Sequence, residues 1–194
     1  ANANNVVFIA DEVQTGFART GQMFASEDEG IVPDLMTLAK GIAGGLPLAA
    51  VVGRQEIMDA PHVGGLGGTY GGNPIATAAA LGALAAYEEG DLLARARELE
   101  AVILDELTTL QARDGRIGDI RGRGAMMAIE LTDAEGKPDA ALTGAVAKYC
   151  HAQGVIVLTC GTDGNVIRLL PPLSISDELL REGIRVIGEA LEAN

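Results

Sequence analysis

Two short apolar runs, each ending on charged side chains, constrain the fold of this chain most. Residues 6–10 (VVFIA) lead straight into Asp11 and Glu12, and residues 35–39 (LMTLA) lead into Lys40. Unbroken runs of this length read as strands of a parallel sheet buried on both faces. The residues between Val13 and Pro33 are enough for the crossover that parallel pairing requires. Asp11 and Lys40 then stand at strand C-termini, the side of an open α/β sheet where ligands bind. Successive strand side chains point to opposite faces, so Glu12 is expected away from the face that Asp11 serves.

Lys40 is also the only lysine in the first 136 positions. An acid and an amine at one sheet edge are what pyridoxal 5'-phosphate uses, the lysine for its Schiff base and the acid for its pyridinium nitrogen. Spacing alone leaves equally open a surface lysine and a strand-end aspartate that never meet.

Three motifs in order, DEVQTGFARTG, LAKGIAGGLPLAAV and GTYGGNPIATAAALGAL, decide between these readings. Together they resemble the class III aminotransferases, and the resemblance runs from Val6 to the C-terminus. It implies an α/β architecture, the type I pyridoxal-phosphate-dependent transferase fold (aspartate-aminotransferase-like). Residues 1–96 would be the C-terminal part of the large cofactor domain, and residues 97–194 the small α+β domain. The complete family fold carries a long N-terminal half, with a phosphate-gripping loop and a ring-stacking aromatic, that this sequence lacks. The chain therefore reads as the C-terminal part of a longer enzyme.

The resemblance also implies roles. Lys40 would form the Schiff base with pyridoxal 5'-phosphate and move the proton during the reaction; partial desolvation lowers a lysine toward the neutral form that this work needs. Asp11 would pair with the ring nitrogen, Val13 would pack on one face of the ring, and Gln14 would hydrogen-bond its phenolic oxygen. Thr69 would donate to the cofactor phosphate of the neighbouring subunit, which makes the protein a homodimer. Arg168, in VIRLLPPLSIS, would receive a substrate carboxylate through its two-pronged guanidinium, a geometry lysine does not reproduce. Pro171 and Pro172 stop that strand and stiffen the backbone behind it. Arg19 belongs to the family pattern but reads as structural. Arg121 and Arg123 read as serving a turn before a strand.

Residues 63–73 hold six glycines, a density that opens backbone conformations closed to other residues and lets a ligand come close. No GxGxxG or P-loop pattern occurs, so these glycines do not announce a nucleotide site. His62 and His151 lack metal-ligand spacing, as do Cys150 and Cys160, and no metal is expected. A formal net charge of -13 makes nucleic acid a poor partner. The stretch from residue 74 reads as a buried, Ala-rich helix shorter than a membrane span. Free cysteines and the resemblance suit a cytoplasmic protein. Cys150 reads as core.

Further helices are expected near 75–88, 91–113, 142–153 and 177–191, and strands near 49–52, within 117–131, and near 155–158 and 166–169. Asn73 with Pro74, and Ser176 before Asp177, have the composition of helix starts. The VIRLLPPLSIS segment is most similar to family members that act on 4-aminobutyrate. The expected reaction is therefore 4-aminobutyrate with 2-oxoglutarate giving succinate semialdehyde and glutamate. The alternatives are an ornithine or acetylornithine aminotransferase, a glutamate-1-semialdehyde-type aminomutase, or an inactive fragment.

Overall fold

The structure, a computed structural model, describes residues 2–194, with side chains from residue 3 onward. The chain divides into two compact units, Ala1–Ala94 and Arg95–Asn194.

The first unit is built on a three-stranded sheet of order β1-β2-β3. Strand β1 (Ile9–Asp11) runs parallel to β2 (Leu35–Leu38), with Ile9 opposite Leu35 and Asp11 opposite Thr37. Strand β3 (Ala50–Gly53) closes antiparallel on β2. Asp34 ties the three together at their far end: its carboxylate accepts from the Phe8 amide at 2.8 Å and from the Arg54 guanidinium at 2.8 Å. The crossover from β1 to β2 contains no α-helix; it consists of turns and a 3-10 turn at Ala25–Glu27. A short helix α1 (Gln55–Met58) follows β3, and α2 (Pro74–Glu89) follows the glycine-rich loop.

Two expectations about this unit need correction. Residues 6–8 lie ahead of the strand rather than in it, and the run is not buried: Val6, Val7, Phe8 and Ile9 are 55%, 48%, 41% and 53% exposed. No described element covers them, so a sequence that fits a two-sided interior meets solvent here. Helix α2 likewise buries Ala76 alone. Apolar on every side, it has no stripe to choose a face, and its one extensive contact is with the 3-10 turn Lys40–Ala43. Its start is as expected: Asn73 Oδ1 accepts from the Ile75 and Ala76 amides at 2.9 and 3.3 Å.

The second unit packs helices on an antiparallel sheet. Helix α3 (Leu92–Arg113) leads into an antiparallel sheet of order β4-β5-β7-β6, formed by β4 (Ile117–Arg123), β5 (Met126–Leu131), β6 (Leu158–Cys160) and β7 (Val166–Leu169). Helices α4 (Ala140–Ala152) and α5 (Asp177–Ala193) complete it. Leu99, Ile103 and Leu107 recur every four residues along one face of α3 and are wholly buried with Ile129, Ile167 and Ile187. Each such side chain contributes roughly 1.5–3 kcal/mol by leaving water. Helices α3 and α5 approach so closely that a Cβ on Gly188 would stand 2.7 Å from a Leu110 methyl. Cys150 is core, as expected.

The strand expected near 155–158 begins only at Leu158. Arg121 and Arg123 lie on β4 itself rather than in a turn, with Arg121 paired to Asp119 and Glu130. Arg121 sits between Asp119 two residues back on its own strand and Glu130 diagonally across on β5, opposite charges that favour the strand, and the turn falls after it at Gly124–Ala125. No described helix is long and apolar enough to cross a membrane.

Candidate active site

Asp11 ends β1 with its carboxylate exposed. Oδ1 accepts from the Val13 amide and from the Thr37 hydroxyl, both at 3.1 Å. A carboxylate held by two donors on one oxygen keeps its aim while the other oxygen faces outward. Val13 and Gln14 follow immediately and are half-buried.

Glu12 goes the other way, as the pleat requires, and is 3% exposed. Its carboxylate accepts from the Thr15 hydroxyl and from the Ala25 and Ser26 amides, the latter two at 3.1 and 2.8 Å. Burial pushes this carboxyl up, but the donors of Thr15, Ser26 and Ala25 outweigh it and hold the group below the ordinary glutamate range. Glu12 therefore closes the loop 12–26 on itself and fixes the departure of the chain from Asp11. A Cβ at Gly16 would meet the Glu12 carbonyl at 2.8 Å, so this tight turn excludes a side chain there. Sequence reasoning left Glu12 without a role; a carboxylate on the inward pleat position with the Thr15 hydroxyl three residues on was the available signal.

Lys40 stands at the end of β2, exposed, as the first residue of the 3-10 turn Lys40–Ala43. Its φ is +49°, a left-handed conformation that costs a residue with a side chain roughly 1–3 kcal/mol and persists where the surroundings impose it. The β1–β2 pairing brings Asp11 and Lys40 to one sheet edge, since Asp11 lies opposite Thr37, three residues before Lys40. Arg19 is half-buried beside Tyr87; burial lowers its pKa and the Tyr87 hydroxyl raises it. Tyr87, the one aromatic residue of α2, reaches the Lys40 turn: its hydroxyl donates to the Gly41 carbonyl at 3.0 Å. Nothing in the Ala-rich pattern singled it out beyond its being the only ring there.

Thr69 lies in a loop whose residues 61–72 are all exposed. Two tight turns shape it, from the Gly65 amide to the His62 carbonyl at 2.7 Å and from the Gly71 amide to the Gly68 carbonyl at 2.9 Å. Arg168 belongs to the second unit. It is half-buried on β7, between Ala128 of β5 and Leu158 of β6. It lines a cleft of about 580 Å³ with Val155, Ile156, Pro171 and Leu179 among its apolar walls. Gln153 and Glu182 line it as well, and a guanidinium among mainly apolar walls can take a small carboxylate with an aliphatic tail.

The strand-end acid and lysine, the glycine loop and the arginine cleft occur on a recognisable frame. The chain belongs to the class-III aminotransferase family, whose model matches residues 1–191. It is 63% identical over 189 residues to the 4-aminobutyrate aminotransferase of Mycobacterium leprae, covering 97% of this chain and 42% of that protein. It is 48% identical over 187 residues to the 5-aminovalerate aminotransferase of Pseudomonas putida, covering 96% and 44%. Among solved structures it resembles a transaminase from the marine bacterium Virgibacillus, with a TM-score of 0.89 and 35% identity over 99% of this chain and 46% of that one. The fold is accordingly part of the type I transferase fold, mixed α/β as the motifs implied. The chain spans less than half the length of these relatives.

Proposed function

We propose that this chain serves a pyridoxal-phosphate-dependent aminotransferase, as part of a protein longer than 194 residues, and that the amino donor is 4-aminobutyrate with 2-oxoglutarate as acceptor. The observation that carries the reading is the parallel register of β1 and β2, with Asp11 opposite Thr37 and Lys40 three residues beyond. The donor set fits the cofactor: one oxygen of Asp11 is already anchored by Thr37 and Val13, the Lys40 amine is accessible, and the backbone at Lys40 is held in a costly conformation. When bound, pyridoxal 5'-phosphate supplies an electron sink for the carbon that loses its proton.

The residues of the chain divide the remaining work. Lys40 Nζ would hold the cofactor and would take and return the substrate proton. Asp11 would pair with the ring nitrogen, Val13 would pack on the ring and Gln14 would hydrogen-bond its phenolic oxygen. Thr69 would serve the phosphate of a neighbouring subunit in a homodimer, and Arg168 would receive the substrate carboxylate. In this reading residues 1–96 belong to the cofactor domain and residues 97–194 form the small domain of a cytoplasmic enzyme. The 63% identity to a relative named for 4-aminobutyrate supports that donor.

The test uses the full-length protein. Borohydride reduction with pyridoxal 5'-phosphate should fix the cofactor on the peptide containing Lys40 and leave a Lys40→Ala variant unlabelled. Turnover with 2-oxoglutarate should favour 4-aminobutyrate over 5-aminovalerate and ornithine. Equal turnover of ornithine, or reaction without any keto acid, overturns the donor and the reaction class respectively.

A further inference from the structure

The left-handed backbone at Lys40 has to be held by something other than its own exposed side chain. Upstream, the pairing of β2 fixes the chain as far as Leu38. Downstream, the Ile42 amide donates to the Ala39 carbonyl at 3.2 Å and closes the turn around Lys40, and the side chain of Tyr87 bonds the same turn, its hydroxyl donating to the Gly41 carbonyl at 3.0 Å beside the Gly44 amide at 3.4 Å. Around that bond the packing leaves no slack. A Cβ at residue 41 would stand 3.1 Å from Phe17 Cβ and 3.2 Å from Tyr87 Oη, so glycine is what lets α2 come this near. The Tyr87 ring lies on Phe17 at 5.9 Å between centroids, and Phe17 meets Phe24 edge-on at 5.7 Å. Phe17 and Ala18 are themselves left-handed, at φ +60° and +66°, and are locked by the Phe17 amide on the Met23 carbonyl at 2.7 Å. Burial raises the Tyr87 phenol above its ordinary pKa, with Arg19 pulling the other way, so the hydroxyl remains a donor across the neutral range.

We infer that Tyr87 is a positioning residue for Lys40: its hydroxyl, carried on the Phe17 ring, clamps the Gly41 carbonyl and presents the lysine amine to the carbonyl carbon of the cofactor. The inference rests on the reading of Lys40 as the cofactor lysine. Clamped, the amine starts close to its attacking geometry; released, it searches a wider range, and the loss falls on the covalent step alone.

Two ligands separate positioning from general support of the site. Pyridoxal 5'-phosphate forms an imine with the lysine, whereas pyridoxamine 5'-phosphate, with an amine in place of the aldehyde, binds without one. In the full-length apoprotein, Tyr87→Phe keeps the ring and deletes the clamp. It should weaken binding of pyridoxal 5'-phosphate about fivefold, the size expected of one hydrogen bond, and leave pyridoxamine 5'-phosphate unchanged. Tyr87→Leu also removes the ring contact and should widen the same selective loss, with the melting temperature of both variants read in parallel. Equal weakening of both ligands, or no change in either, overturns the positioning role. Lys40→Ala in the same assay tests the underlying reading: if it loses no preference for the aldehyde form, that reading fails, independently of Tyr87.

Discussion

The two units keep their shape by different means. The second carries wholly buried aliphatic rows from α3, α5 and the sheet, so its geometry follows from apolar packing and tolerates few alternatives. The first buries Phe17, Ala18, Leu38, Ala43 and Ala76 as its apolar interior and otherwise relies on carboxylates aimed at backbone amides and on the ring contacts of Phe17 with Phe24 and Tyr87, which hold left-handed residues in place. Every candidate cofactor residue lies in the first unit. The lesson is that Asp11 and the turn of Lys40 are held by directional bonds, while Arg168 rides on a strand of the well-packed layer.

The contrast can be broken or sharpened by substitution. The largest effect belongs to the apolar core: Ile187→Ala in α5 should destabilise the second unit by about 3 kcal/mol, while Leu84→Ala on exposed α2 should change stability by less than about 0.5 kcal/mol. Denaturant titration of the two variants measures this, and similar losses would erase the distinction. Next comes Glu12→Gln, which leaves three donors facing a neutral amide and should destabilise the loop 12–26 by about 2 kcal/mol. Amide exchange at Ala25 and Ser26 should rise well before exchange in α3. The same group gives a pH signature. Its folded pKa is depressed, so its contribution is complete above the ordinary glutamate pKa and is lost as pH falls through the lower, folded value. Loop exchange followed downward in pH should accelerate in that window, and Glu12→Gln should remove the dependence.

Arg168→Lys should leave the melting temperature in place but raise the KM for the carboxylate substrate about tenfold, because an ammonium forms one directed bond where the guanidinium forms two. Loss of stability with unchanged KM would make Arg168 a structural residue instead. The smallest effect is at a cap: Ser176 Oγ accepts from the Leu179 amide at 3.3 Å, and Ser176→Ala should cost about 1 kcal/mol in thermal melts.

The legible parts of the sequence were those in which local chemistry and final structure agree. The parallel pairing of the two strand-end motifs, the Asn73 and Ser176 helix starts, β7 and the amphipathic α5 all follow from patterns within a few residues. The strand near 155–158 was misplaced because Val155 bonds back to the Cys150 carbonyl, Ile156 faces solvent and Val157 alone is buried, so the apolar run pairs with no strand. The burial of β1 and α2 was misjudged for a different reason: apolar composition reports what a segment can cover, not whether a cover is supplied. Tyr87 was overlooked because its partner, the Gly41 carbonyl, is 46 positions away and is a backbone atom, which leaves no trace in side-chain pattern. Glu12 was seen and correctly turned away from Asp11, but its three donors come from a loop whose path no local rule gives.

The adjacency of Asp11 and Glu12 carries a constraint on how this chain can change. Two neighbouring acids have opposite fates, one outward and one locked inward, solely through the parity of the pleat. A one-residue insertion or deletion between Ile9 and Asp11 would exchange them, sending an unsatisfied carboxylate inside and the loop anchor into solvent. Length variation in that strand is therefore restricted to steps of two, and engineers grafting this motif onto another sheet have to preserve odd and even before they preserve identity.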